Sequence, residues 1–322
     1  MQATPSPAPL RVVFFGTAEL ACASLRALAQ NPAFRVETVV TQPDRPGGRS
    51  LRPQPSPVKT VALELGLPVS QPERCRAPEF LDQMRAVAPG LIVVAAYGQL
   101  LPTALLDLPR LGCLNVHASL LPKHRGAAPI QWAVLEGDAA TGVTIMRMDA
   151  GLDTGDILSQ EATPIGPDDD AATLHDRLGQ RGAGLLVRTI PRHAAGNIVP
   201  RPQPTEGVSY ARKITREDGR LDWSRPAQEL HRRLRAFTPW PGAFTFLRGA
   251  GRPVLLKIWR AAPVPGEPAP PGTVLRADQA GIRVAAGVGA LELTELQREG
   301  GRRLSAAEFL AGHPMPVGSV LG

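Results

Sequence analysis

Residues 10–30 read LRVVFFGTAELACASLRALAQ. The apolar run Arg11 to Phe15 stops at Gly16, and apolar residues then return at helical spacing from Ala18 to Gln30. The stretch predicts strand, tight turn and helix. A dinucleotide-binding turn would place G-x-G-x-x-G here so that the backbone could approach a pyrophosphate. Positions 18 and 21 are both alanine, which leaves a structural turn as the reading. The pattern recurs downstream. Apolar Val36 to Val40 precedes a loop and helical Val58 to Leu65, and helical Pro78 to Val87 precedes the wholly apolar run Leu91 to Ala96. Strands apolar on both faces belong in a parallel sheet covered on both sides. Gly112 to Val116 and Gly142 to Met148 are further strands, and a long helix over Ala171 to Ile190 closes a first α/β domain, residues 1–190.

Residues 191–207, with Pro200, Pro202 and Pro204, read as a proline-stiffened linker. Beyond it, Asp222 to Phe237 has the pattern of one amphipathic helix. Short alternating runs then follow at Ala243 to Leu247, Val254 to Trp259, Gly272 to Leu275, Gly281 to Ala285 and Ala290 to Leu296, with Ala261 to Pro271 reading as a loop. Short strands at such intervals predict a small β-barrel within residues 208–322.

The 322 residues leave room for two domains. No apolar run reaches the roughly 20 residues that crossing a bilayer requires. The first ten residues, MQATPSPAPL, lack the basic and apolar segments of a secretion signal. A soluble cytoplasmic protein is expected. Cys22, Cys75 and Cys113 are far apart and form no CxxC pair, which argues against a zinc or redox motif. The net charge of +7 is unevenly placed: residues 1–200 hold 18 basic and 18 acidic side chains, residues 201–322 hold 18 and 11. A basic module joined to a neutral one points to a polyanionic partner, because phosphate contacts by Lys and Arg release counterions.

Chemistry concentrates in residues 111–158, LGCLNVHASLLPKHRGAAPIQWAVLEGDAATGVTIMRMDAGLDTGDIL. Asn115 and His117 alternate with Leu114 and Val116, so both polar side chains face one side at the end of a buried strand. Open α/β sheets place ligands in that position. The glycine-hinged loop Asp149 to Asp156 can bring Asp153 against the imidazole. An amide donor, an imidazole and a carboxylate are the parts needed to transfer an acyl group to an amine through a tetrahedral intermediate. G-x-S-x-G is absent and no cysteine carries a local cysteine-protease signature, so direct transfer is favoured over a covalent acyl-enzyme. His117, His124 and Asp153 are conceivable metal ligands, but spacings such as H-E-x-x-H are missing and no metal is expected. The loop Gln42 to Pro57 is long, rich in Pro and Gly, and sets Arg45, Arg49 and Arg52 against one acid, Asp44.

Three stretches in order, Asn115-Val116-His117-Ala118-Ser119-Leu120-Leu121-Pro122, Arg125-Gly126-Ala127-Ala128-Pro129-Ile130 and Gly151-Leu152-Asp153-Thr154-Gly155, closely resemble the 10-formyltetrahydrofolate-dependent formyltransferase family. Thr41 to Arg49 with Pro55 to Lys59, Ala95 to Gly98, and Arg235 to Gly242 resemble its members that formylate methionyl initiator tRNA, from about residue 10 to the end. The resemblance implies a Rossmann-like, open, parallel-rich sheet followed by a small OB-like barrel that binds tRNA. It implies Asn115, His117 and Asp153 as the catalytic trio, with the folate lying against Ser119, Leu120, Leu121 and Pro122. It also implies that the loop carrying Arg45, Arg49 and Arg52 meets the acceptor end of tRNA. Related enzymes commonly carry two lysines just after the position of Arg49, where this chain has Ser50-Leu51-Arg52-Pro53.

In the C-terminal domain, Arg212, Lys213, Arg216, Arg232, Arg233, Arg235, Arg302 and Arg303 are candidates for phosphate contacts. Aromatic residues make up only 4% of the chain, which leaves little for base stacking. Trp240, between two prolines, is expected to pack a domain junction. The activity implied is transfer of the formyl group of 10-formyltetrahydrofolate to the α-amino group of methionyl initiator tRNA, for translation initiation, by a monomer with no membrane partner. One alternative is a sibling enzyme acting on a small amine, such as a sugar nucleotide or glycinamide ribonucleotide. The basic C-terminal part argues against it. Another is a folate- or RNA-binding protein without turnover, which would not need Asn115, His117 and Asp153 together.

Overall fold

The computed structural model describes residues 8–47, 52–248 and 253–322. The chain packs as two compact units. The first holds the described residues up to Pro129, Ala140–Pro164 and His175–Ala211; the second holds Ile130–Ala139, Ile165–Leu174 and Arg212–Gly322. Two short stretches before residue 190 thus pack with the second unit.

The stretch from Leu10 to Gln30 forms β1 (Leu10–Gly16) and α1 (Leu20–Ala29). Then come β2 (Phe34–Val40), a hairpin of β3 (Arg45–Gly47) and β4 (Arg52–Gln54), α2 (Pro57–Glu64), β5 (Val69–Ser70), α3 (Pro78–Val87) and β6 (Leu91–Ala95). After α4 (Thr103–Leu106) follow β7 (Cys113–His117), β8 (Arg125–Gly126), α5 (Pro129–Glu136), β9 (Ala140–Arg147), β10 (Ile157–Pro164), α6 (Ala171–Ala194) and β11 (Tyr210–Ala211). Seven strands form one sheet in the order β10-β9-β7-β6-β1-β2-β5. Five are parallel, and all five residues of β6 are buried, as an interior strand of a covered sheet requires. β9 and β10 run antiparallel. β10 has no clear signal in the sequence, since Ser159, Gln160 and Glu161 interrupt its apolar run. At the sheet edge all three stay half-buried.

Gly16 closes the first turn tightly: a Cβ there would press on the Phe14 ring, Ala21 and the Ala95 carbonyl. The amides of Thr17 and Ala18 both donate to the Ala96 carbonyl (3.2 and 3.3 Å). The donors that a pyrophosphate would need are therefore already used.

α6 runs four residues past Ile190 with Pro191 inside it; the next turn is kept by Ala195, whose amide donates to the Pro191 carbonyl (3.0 Å). The segment after α6 is irregular, as its prolines demand, yet it is bonded to the first unit. Ile157 and Arg201 exchange amide bonds of 2.8 and 2.9 Å, and β11 pairs in parallel with β8. Proline forbids helix and interior ladder positions here without preventing docking.

In the second unit α7 (Ala227–Ala236) is shorter than its pattern, because Asp222 accepts from the amide and hydroxyl of Ser224 in a turn and Pro226 stands at the N-cap. β12 (Ala243–Leu247), β13 (Val254–Val264), β14 (Val274–Asp278), β15 (Gly281–Ala285), β16 (Ala290–Arg298), β17 (Arg303–Ser305) and α8 (Ala306–Gly312) follow. The antiparallel order is β12-β13-β16-β15-β14, with β17 on β16. β13 continues through Pro263, in what reads as a loop. Beyond Ile258 its only strand partner among the described residues is β16, so Pro263 occupies an edge where a missing N–H costs little. Leu247 and Thr273 bridge to Leu321 and Val320, so the C-terminal residues link both edges of the sheet. Leu230, Leu234, Leu256, Ile258, Leu293 and Phe309 are among its core.

Back in the first unit, Gly182 of α6 lies against β7, where a Cβ would come within 2.9 Å of Val116 and 3.3 Å of Val143. The helix therefore presses directly on the strand that carries Asn115 and His117. Gly182→Leu should force helix and strand apart and cost about 2–3 kcal/mol, read as a lower urea midpoint. An unchanged midpoint would contradict this packing.

Candidate active site

Asn115 and His117 project from the end of β7, two residues apart and so on one face. Both are buried, 9% and 5% exposed. β9 ends opposite Leu114, near the start of β7, so the loop after β9 must turn back along the strand to reach them. Asp153 arrives by that loop. Asn115 Nδ2 donates to Asp153 Oδ1 (3.3 Å), the Gly126 amide of β8 donates to Oδ2 (2.8 Å), and His117 Nδ1 lies 3.7 Å from the same Oδ2. Asp153 has φ +53°, the left-handed region. That costs a non-glycine residue on the order of 1–2 kcal/mol and persists only where surrounding contacts enforce it. Two residues on, a Cβ on Gly155 would overlap the Arg147 carbonyl, so the return to β10 needs glycine.

The proton positions follow from the partners. His117 Nε2 lies 2.9 Å from the His124 carbonyl, which can only accept, so Nε2 carries a hydrogen in either charge state. Nδ1 is then the atom that gains or loses a proton, and it faces Asp153. Asn115 uses one hydrogen of its amide on Asp153 and has a second to offer a ligand. The arrangement can stabilise an oxyanion and move a proton side by side.

The turn after β7 is held from inside. The Ser119 hydroxyl donates to the Lys123 carbonyl (2.6 Å), and the Ser119 carbonyl accepts from Thr144 Oγ1 (2.7 Å). The Leu121 amide donates to that same Oγ1 (3.1 Å), and the Leu121 side chain packs with Met146 and Ile157. Ser119 and Leu121 thus stiffen the turn. Leu120 and Pro122 are half-buried and retain apolar surface for a flat ring.

Arg45 is exposed on β3, and Arg52 begins β4, opposite Gly47. Arg49 lies outside the described residues. Asp44 is bound at the base of this loop: Lys59 Nζ donates to both its oxygens (2.9 and 2.7 Å) and Gln71 Nε2 to Oδ1 (2.8 Å). The bond from Lys59, then that from Gln71, holds the Asp44 carboxyl below the usual carboxylate range. Its charge answers that of Lys59.

In the second unit several candidate arginines have internal partners. Arg232 Nε donates to the Leu135 carbonyl (3.1 Å), Arg233 to that of Asp218 (3.1 Å) and Arg235 to that of Asp169 (2.9 Å). Arg212 forks onto the Asp218 carboxylate and holds it far below its ordinary range. Arg303 stacks on Trp259 at 3.8 Å. Lys213, Arg216 and Arg302 are exposed. Trp240 does not pack as expected: it is 57% exposed, and the buried aromatic of its motif is Phe237. The Gly242 amide donates to the Phe237 carbonyl (2.9 Å), so residues 238–241 form a tight turn with the indole at its apex.

Two contributors carry no signal in the sequence. Gly126 acts through a backbone amide, and Gln203 lies in the proline-rich segment, where its side-chain amide bonds the main chain at Asp153.

Known proteins divide along the same lines. Residues 10–190 match the family model described as formyl transferase, and residues 213–314 match that of the formyl transferase C-terminal domain. The chain is 50% identical over 313 residues to the methionyl-tRNA formyltransferase of Citrifermentans bemidjiense, covering 97% of this chain and 96% of the relative. It is 50% identical over 315 residues to that of Geobacter sulfurreducens, covering 98% of each. Among solved structures, the N-formyltransferase of Helicobacter canadensis, in complex with folinic acid and dTDP-3-aminofucose, shares the fold. Its TM-score is 0.62 at 18% identity, over 88% of this chain and 99% of that one.

All three cysteines are buried, and burial pushes their thiols up, to about 11 at Cys22 and about 12 at Cys113, with Cys75 raised as well. A thiol so shifted is almost wholly protonated at pH 8 and is a poor nucleophile. Iodoacetamide at pH 8 should therefore label the native protein more than about a hundredfold more slowly than the urea-unfolded chain. Rapid labelling of the native form would show an open thiol.

Proposed function

Because the chain belongs to the methionyl-tRNA formyltransferase family, we propose that Asn115, His117 and Asp153 carry its transfer of a formyl group from 10-formyltetrahydrofolate to the α-amino group of methionyl initiator tRNA. The observation that supports this assignment is the meeting of Asn115, His117 and the Gly126 amide on one carboxylate.

The bound folate supplies the formyl carbonyl and departs through the nitrogen that carried it. Asn115, with the free hydrogen of Nδ2, stabilises the negative charge that grows on the formyl oxygen as the neutral α-amine attacks the carbon. His117, protonated at Nδ1, adds to that stabilisation and passes a proton to the departing nitrogen, directly or through a water, while the amine nitrogen, once bonded to the formyl carbon, gives up its own proton to the emptied Nδ1 by the same route. Asp153 orients the ring and supports its positive charge. Leu120 and Pro122 offer the apolar wall for the folate ring, on the turn that Ser119 and Leu121 stiffen.

The acceptor is read by charge. Arg45, Arg49 and Arg52 meet its acceptor end, and Lys213, Arg216 and Arg302 supply phosphate contacts from the second unit. Residues 1–190 form the catalytic domain, 191–207 the linker and 208–322 the tRNA-binding domain. The protein works as a cytoplasmic monomer; no helix among the described residues is long and apolar enough to cross a membrane.

Incubation with 10-formyltetrahydrofolate and either methionyl-tRNA or small amines tests the acceptor. Formyl transfer to the tRNA is expected, with apparent affinity falling steeply as salt rises. Transfer to small amines alone would overturn the acceptor. His117→Ala and Asp153→Ala should each lower kcat by about 10²- to 10⁴-fold with cooperative thermal unfolding retained, and Arg49→Ala should mainly weaken productive use of tRNA. Near-normal turnover of His117→Ala would overturn its role.

A further inference from the structure

We infer that Gln203 is a positioning residue for the catalytic carboxylate, its side-chain amide tying the loop that carries Asp153 to the guanidinium of Arg125. The inference rests on the proposed catalytic role of Asp153. Gln203 Nε2 donates to the main-chain carbonyls of Asp153 and Gly155, both at 2.8 Å. Its Oε1 accepts from Arg125 Nε and Nη2 at 3.0 and 2.7 Å. The partners settle which end is which: a guanidinium only donates and carbonyls only accept, so the flipped amide would lose all four bonds.

The two carbonyls flank Thr154, so the clamp spans the turn in which Asp153 holds its left-handed φ. This loop has to fold back along β7, and among the described residues no ladder bond from the sheet reaches Asp153 itself. Asn115 on β7 bonds its carboxylate, and the Asp149 side chain accepts from Gly151 and Thr154 within the loop; the further restraints on Asp153 come from β8. Gly126 holds the carboxylate directly, and its neighbour Arg125, itself buried, holds the main chain through Gln203. A small relaxation at this turn would move Oδ2 away from His117 Nδ1. Misplacement of a catalytic group by about 1 Å can cost on the order of 10²-fold in rate.

The docking of the segment does not depend on the Gln203 side chain. Arg201 is bonded to Ile157 through both main-chain groups, and the Ser209 hydroxyl accepts from the His124 amide (2.9 Å) just before β11 joins β8. Removing the amide of Gln203 therefore frees the Asp153 loop without detaching the segment.

Two variants test this in the full-length protein with preformed methionyl-tRNA. Gln203→Ala removes the clamp. Gln203→Glu keeps an acceptor for Arg125 but turns a carboxylate oxygen toward two carbonyls. Each should lower kcat roughly 10- to 100-fold, with KM for tRNA and for the folate changed less than about threefold and thermal unfolding little altered. In an Asp153→Ala background, measured by single turnover, Gln203→Ala should have almost no further effect, because residues acting as one unit are not additive. Unchanged kcat in both single variants, or a full additional loss in the double variant, would overturn the inference. Near-normal turnover of Asp153→Ala alone would instead overturn the catalytic assignment beneath it.

Discussion

The Asp153 carboxylate is the point on which the first unit is organised. It accepts from a side chain on β7 and from a backbone amide on β8, and it faces an imidazole on β7. Those donors belong to elements that only the folded sheet brings together, and they hold a residue whose own backbone favours another conformation. The strand beneath must not yield. β7 is backed by α6 at Gly182, where the absence of a side chain lets the helix sit directly against Val116. Packing, strand register and loop strain therefore converge on one negative group.

The hydrogen positions on the His117 ring are set by a neighbour with no chemistry of its own. The His124 carbonyl occupies Nε2 of His117, so the other ring nitrogen is the one left for proton exchange, on the side of Asp153 and Asn115. A carbonyl in place of a second titratable group makes the orientation of the ring independent of its charge. The same economy governs Asn115, whose amide holds the carboxylate with one hydrogen and keeps the other for a ligand.

Charge is distributed with a comparable division of labour. The excess of +7 is a property of the chain, but many of its arginines are engaged internally. Arg232, Arg233 and Arg235 hold main-chain carbonyls, and Arg212 is matched by Asp218. The positive surface available to a polyanion is thus narrower than composition implies. In the 42–57 loop the one acid, Asp44, is bonded to Lys59.

The amino-acid sequence by itself determined β1, α1, β2, α2, α3, β6 and β7, because apolar periodicity is a local property that burial on two faces enforces, whereas β3, β4, β5 and α4 are too short to carry a period. It also placed Asn115 and His117 on one face, since a strand has period two. The direction of β9, the edge strand β10, the exposure of Trp240 and the docking of the proline-rich segment were decided only by tertiary structure. So were the contributions of Gly126 and Gln203. Each depends on a backbone group or an uncharged amide meeting a partner across the fold, and no pattern along the chain records such a meeting.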